Sequence, residues 1–329
     1  MASFTIYMSR NKYVLHSWFL CFFIASLVNF LALGGCSTNG KKKGHDSNHG
    51  TIEKDDTYGR AMAMGQIDNR EINEASGLVV NPEHPFSLWT HNDSGDEARI
   101  FLIRKNGHFR AEYQLEGATN RDWEDIAVGP GPQPDTNYLY IGDIGDNYTF
   151  YSSYVIYRLE QPEVAAGTED GQPRKTVTGI DQLRFVYPDG SHDAETLFID
   201  PSTRDLYIVT RQETHDRVYR YPYPQSTAKT DTVEFVCKLP FSQFAGGELS
   251  ADGQTLLLKT LPRIFIWHRM PGQSISDMLS APPGELSYGT GPQEEAIAIG
   301  PRGNGYYTLS ESKGEPVTLY YHPAKNKNK

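Results

Sequence analysis

An acid-led apolar motif that returns about every 50 residues, four short strand-like runs in most of its repeats, and a spare apolar run ahead of the first repeat predict one fold class. The chain reads as all-β, a β-propeller of five four-stranded blades whose ring is closed by an N-terminal strand. The motif is clearest in Asp122-Trp123-Glu124-Asp125-Ile126-Ala127-Val128-Gly129-Pro130. It recurs from Glu74 to Pro82, from Asp193 to Pro201, from Gln293 to Pro301 and, more weakly, from Gly246 to Gly253. Successive acids Glu74, Glu124, Glu195, Glu248 and Glu295 are 50, 71, 53 and 47 residues apart. A β-sandwich or barrel has a similar density of strands but does not require one motif to recur at this interval. Six blades is the alternative count, with the extra blade near the long interval or in the fourth repeat.

Taken in order, the chain opens with Arg10 and Lys12 ahead of an apolar run from Val14 to Leu33, which ends in Leu33-Gly34-Gly35-Cys36. Residues 1–35 read as a secretion signal, and their end resembles a bacterial lipobox, which implies lipidation of Cys36 and membrane attachment through it. A transmembrane helix is the competing reading, since some 20 apolar residues just span a bilayer. Residues 36–60 are polar, with Lys41-Lys42-Lys43, and read as a flexible tether. The propeller is expected over 61–323 and a disordered tail over 324–329. Beyond the signal, 29 Lys and Arg stand against 41 Asp and Glu, which argues against nucleic acid as a partner. Of the three cysteines, Cys21 lies in the signal and Cys36 is the anchor, so Cys237 is alone and no disulfide within the domain is expected.

Within each repeat the strand-like runs are separated by Gly, Pro, Asn and Asp turns. The fourth repeat has no obvious fourth run, and neither does the last, where Met62 to Asp68 is expected to complete the blade. Residues 162–179, polar and rich in Gly, Glu and Thr, form the insertion that lengthens one interval and read as a surface loop.

Side chains two apart on a strand share a face, so Asp122 with Glu124, Asp193 with Glu195, and Gln293 with Glu295 are each expected to point to one mouth of the channel. Glu74 with Ser76 takes this place in the first repeat. Gly247 takes it in the fourth, with Glu248 one place out of register. The ends of the second strands return to the same mouth. They bring His91, Asn92, Asp93 and Asp96, then Asp143 and Asp146, then Arg211 and Lys259.

The expected metal ligands are therefore Glu74, Asp122, Glu124, Asp143, Asp146, Asp193, Glu195 and Glu295. Asn92, Asp93, Asp96, Arg211 and Lys259 are the expected ligand-binding residues. A set of carboxylates without thiolates suits Ca²⁺. Pairing of the same acids with Arg121, Arg211 and Lys259 is the competing account. His91 and His192 are the candidates for a general base, and no nucleophile motif is present.

Glu74-Ala75-Ser76-Gly77-Leu78, Asn92-Asp93-Ser94-Gly95-Asp96, Asp122-Trp123-Glu124-Asp125-Ile126-Ala127 and Gly142-Asp143-Ile144-Gly145-Asp146-Asn147 together resemble a group of bacterial β-propeller lipoproteins. More distantly they are similar to the SdiA-regulated and phytase-like propeller families. The resemblance implies an exported propeller with an acidic central mouth that takes Ca²⁺. A phosphoesterase of the phytase type needs several more Lys or Arg around its acids than this sequence supplies. Three functions compete: a binding or scaffold module for a small molecule or envelope protein, a Ca-dependent hydrolase of phosphoesters or lactones, and a scaffold that docks partners on its blade edges or insertion.

Overall fold

The computed structural model describes residues 52–164, 170–212, 214–287, 294–310 and 316–325, with backbone alone at 294 and 295. The lipobox with Cys36 and part of the insertion lie outside the described residues. Five antiparallel sheets are present, each built from consecutive hairpins. Blade I has Ala75–Val80 innermost, then Ser87–Asn92, Arg99–Arg104 and Phe109–Leu115. Blade II has Trp123–Pro130, Asn137–Asp143, Tyr154–Glu160 and Asp181–Val186. Blade III has Ala194–Ile199, Leu206–Thr210, Arg217–Tyr221 and Glu234–Lys238. Blade IV has Phe244–Leu249, Thr255–Thr260, Ile264–His268 and Gly284–Leu286. Blade V has Glu294–Ile299, Gly305–Ser310 and Thr318–Pro323, and its outer strand is Met62–Gln66, paired antiparallel to Thr318–Pro323.

Alternation along the inner strands explains why the blades stack. Leu78 and Val80 pack on the fifth blade with Ala296, Ala298 and Leu319, whereas Val79 packs on the second with Trp123 and Ile126. Each inner strand is thus apolar on both faces, and the buried side chains fall into five layers, one between each pair of neighbouring blades. The inner strands contact one another in the cyclic order I, II, III, IV, V and back to I. Five is therefore the blade count. Trp89 and Trp123 belong to the layer between blades I and II and Trp267 to that between III and IV, as interblade packing requires.

Blade IV hid its fourth strand because the short helix Ile275–Ser280 intervenes, N-capped by Ser274, and because Gly284–Leu286 is only three residues long. Three blades carry an additional parallel strand on the outer edge. Lys175–Val177, from the insertion, lies on blade I, Asp231–Thr232 on blade II and Lys54–Asp55 on blade IV. The last pairing, with Tyr58 buried edge-on against Tyr306, shows that the fold begins within the segment expected to be tether. The tail side is similar, since the Lys325 N–H donates to the carbonyl of Thr57. Cys237 is a half-buried thiol on the outer strand of blade III, raised by desolvation to about 11.

Removing the chain through Gln66 strips blade V of its outer strand. We expect denaturant unfolding of that truncation to lose more stability than the about 2–5 kcal/mol expected of Leu319→Ala in the same blade. An unchanged midpoint would mean that the terminal strand does not hold the ring closed.

Candidate metal centre

Every inner strand bulges at its start. The pairing register with the second strand shifts between Ala75 and Gly77, Trp123 and Asp125, Ala194 and Thr196, Phe244 and Gly246, and Glu294 and Ala296. A bulge leaves one residue unpaired and re-aims its side chain. The residues so placed are Ser76, Glu124, Glu195, Ala245 and Glu295, the side chain of the last lying outside the described residues. Strand register agrees with the placing of Glu74 and Ser76 opposite Asp122 and Glu124. It corrects the fourth repeat by two places, since Ala245 stands where Gly247 was expected.

The acids converge from blades I, II and III. Carboxylate oxygens of Asp93, Asp122 and Glu124 lie within 4.8 Å of one another, and so do oxygens of Glu124, Asp193 and Glu195. Glu124 belongs to both triads, so five carboxylates form one continuous strip. It is 4% exposed. Its carboxylate accepts no hydrogen bond among the described residues, the Ser76 hydroxyl donating instead to its backbone carbonyl at 2.6 Å.

Burial, then the facing carboxylates of Glu195, Asp93, Asp122 and Asp193, push the Glu124 pKa far above the carboxylate range. Burial with Asp93, Asp193 and Asp143 raises Asp122 to about 6 against a hydrogen bond with Ser94. Asp193 is also raised by burial, opposed by the Asp146 N–H and by Arg211.

Cationic side chains are turned elsewhere or engaged. Arg211 donates to Glu195 Oε1 at 2.7 Å. Arg121 lies 3.7 Å from Asp143, donates to the carbonyls of Ser153 and Asp143, and stacks 3.8 Å over the Tyr151 ring. Lys259 is fully buried and donates to the carbonyl of Thr260 at 3.0 Å. Among the described residues no lysine or arginine pairs with Asp122 or Glu124.

Close approach of the loop after blade II's second strand shapes the strip. A Cβ on Gly145 would stand 2.2 Å from Glu124 Oε1 and 2.6 Å from Asp122 Cγ, so any side chain there would displace both carboxylates. The next residue, Asp146, donates its N–H to Asp193 Oδ1 at 2.7 Å.

Other expected site residues are engaged in local contacts or lie outside the two triads. The Asp146 carboxylate accepts from the N–H groups of Phe150 and Tyr151 and from the Tyr154 hydroxyl. Asp143 accepts from the Asp122 N–H at 2.9 Å. Asn92 donates to Glu71 and Asp96, and Asp96 pairs with Arg99 at 2.8 Å, away from the strip. Glu74 is half-buried beside that network and joins neither triad.

Both histidines belong to blade walls. His91 is fully buried, edge-on to Trp123 at 5.6 Å, and desolvation lowers its pKa to about 4. His192 contacts Asp189 at 3.0 Å and Tyr219 and Gln212 at 2.9 Å each.

Two further channel acids, absent from the expected site, tie neighbouring blades together. Asp125 accepts from its neighbour Ile126 N–H at 2.8 Å and from Leu197 N–H of blade III at 2.9 Å. Glu248 of blade IV accepts from Ile299 N–H of blade V, and desolvation raises it to about 8. The sequence carried a signal for both, an acid inside an otherwise apolar inner strand.

All-oxygen donors from separate segments suit one hard divalent cation, which offsets the mutual repulsion of the five carboxylates. No family model matches this sequence, and no curated protein matches it. Solved structures do match. A luciferin-regenerating enzyme aligns over 79% of this chain and 95% of its own, with a TM-score of 0.42 and 11% identity, a distance at which nothing is carried from one to the other.

Gly145→Ala should displace Glu124 and Asp122 and weaken divalent cation binding at least about tenfold in calorimetric titration, about 1.4 kcal/mol, with circular dichroism unchanged. Glu248 supplies a pH prediction. Its folded pKa of about 8 lies above the ordinary 4.5, so the folded chain binds more protons between those values. Its stabilising contribution is complete below about pH 4.5 and is lost as pH rises through about 8. Glu248→Gln should therefore flatten the fall in Tm over that window, and an unaltered profile would count against the assignment.

Proposed function

We propose that the protein is an exported, lipid-anchored binding or scaffold propeller whose acidic mouth holds a divalent cation, Ca²⁺ in preference to Mg²⁺, and through it a ligand or envelope partner. Glu124 carries this reading. A carboxylate on a side chain this enclosed, with neither donor nor counter-ion among the described residues, is strongly disfavoured, and Glu124 sits where two triads meet. Ca²⁺ is favoured because it accepts about 6 to 8 oxygens in flexible geometry, whereas Mg²⁺ demands a near-ideal octahedron and retains its waters.

Export and attachment at Cys36 are supported by Leu33-Gly34-Gly35-Cys36 behind an apolar run, and by the resemblance of the blade motifs to exported propellers. Attachment there puts the propeller in the cell envelope, on the periplasmic side of a membrane or at the cell surface. Hydrolysis of phosphoesters or lactones is the alternative, and it needs a proton-transfer group beside the cation. His91 and His192 are held in blade walls, which favours binding.

The test is thermal unfolding of the EDTA-treated protein titrated with Ca²⁺ and Mg²⁺. A cation held only by the folded state adds about 2.7 kcal/mol at a hundredfold excess over its Kd. A rise in Tm larger for Ca²⁺ than for Mg²⁺, and abolished by Glu124→Gln, is expected. No rise with either ion, or an equal rise in the variant, sinks the reading. Turnover of phosphoesters or lactones that Glu124→Gln removes would establish the hydrolase instead.

A further inference from the structure

The loop that crosses the acid strip carries a feature the cation does not use. After Gly145 and Asp146 it turns back at Thr149, a residue in left-handed conformation with φ 53°, whose N–H donates to the Asp146 carbonyl at 2.8 Å. The Asp146 carboxylate then fixes the returning backbone through Phe150 and Tyr151, and Ser191 of the neighbouring repeat donates to the Tyr151 carbonyl at 2.6 Å. On this pinned loop Tyr148 is 76% exposed and Phe150 81% exposed. Their rings stack on each other with centroids 5.5 Å apart and planes 18° from parallel. Tyr151 beside them is 38% exposed and covered on one side by Arg121. An isolated exposed aromatic is ordinary, but a rigidly held cluster at the rim of a mouth marks a contact surface.

Resting on the reading of the mouth as a cation site, we infer that its ligand is a neutral carbohydrate, with vicinal hydroxyls on the cation and the apolar face of a pyranose ring against Phe150 and Tyr148. Two arguments select that class. A sugar ring presents hydroxyl oxygens at its edge, which complete the oxygen shell of a cation, and C–H groups on its face, which meet the negative face of an aromatic ring. Charge excludes the main competitor. The five formal charges of Asp93, Asp122, Glu124, Asp193 and Glu195 exceed those of one divalent cation, Arg211 and Lys259 together, so the loaded mouth stays net negative and repels phosphate, sulfate and carboxylate groups while admitting a neutral polyol.

The experiment is binding of the full chain to an array of immobilised neutral oligosaccharides and their sulfated and phosphorylated counterparts, with Ca²⁺ or with EDTA. Retention on neutral glycans that requires Ca²⁺ and falls at least tenfold in Phe150→Ala and Tyr148→Ala is expected, while the Ca²⁺-induced rise in Tm stays as in the unaltered chain. Preference for the anionic glycans overturns the inference, as does retention undiminished in both loop variants. A Ca²⁺-induced rise in Tm with no glycan retained overturns the carbohydrate class alone and leaves the cation site standing. Absence of that rise strikes the cation site itself.

Discussion

The channel-facing edge of each inner strand carries backbone groups that no further strand can pair, and the rest of the site follows from how they are satisfied. Buried N–H groups must find acceptors. In this ring they find carboxylates: Leu197 N–H donates to Asp125, Ile299 N–H to Glu248, and Asp146 N–H to Asp193. The Ser76 hydroxyl plays the complementary part toward the carbonyl of Glu124. Each of these contacts joins two blades, so the acids are first of all cross-ties of the ring.

Hydrogen-bond donors set Glu124 and Asp122 apart from the other channel acids better than acidity or position does. Asp125, Asp143 and Asp146 lie near the axis or mouth, and each accepts N–H groups that hold its carboxylate in place. Glu124 accepts none among the described residues and Asp122 has only Ser94 to oppose its burial. The charge left uncompensated on these two raises their pKa values, and the same imbalance draws a cation. The bulges make this possible. Without them Glu124 and Glu195 would continue the alternation into the interblade layers, where Ile126 and Leu197 now sit.

Rigidity of the mouth comes from the five apolar layers and from closure by the strand Met62–Gln66. Gly145 and the Asp146 carboxylate then determine where the loop of blade II crosses the acids and how it returns, leaving Tyr148 and Phe150 in solvent beside a charged mouth. A site of this kind is precise because its first residues stand on strands and its loop is tied by charge-assisted hydrogen bonds.

The recurrence of one acid-led motif near every 50 residues, with four strand-like runs in most repeats, was enough to read the propeller, its five blades and the closing strand. The reason is that packing against a blade on each side makes every inner strand a short buried run, which recurs once per blade. Asp122, Glu124, Asp193 and Glu195 were legible as members of the acid cluster because an acid heading an apolar run has few other places to go, and Asp93, expected as a ligand-binding residue, because the end of the second strand returns to the same mouth. Tertiary structure alone decided which acids stay free. A bulge shifts register without any mark in the motif, so Gly247 was expected where Ala245 stands. The donors that engage Asp143, Asp146 and Asp96 come from turns and strands of their own blades, and Trp123, which covers His91, comes from the next blade. Sequence spacing carries no record of distances closed only when the ring forms.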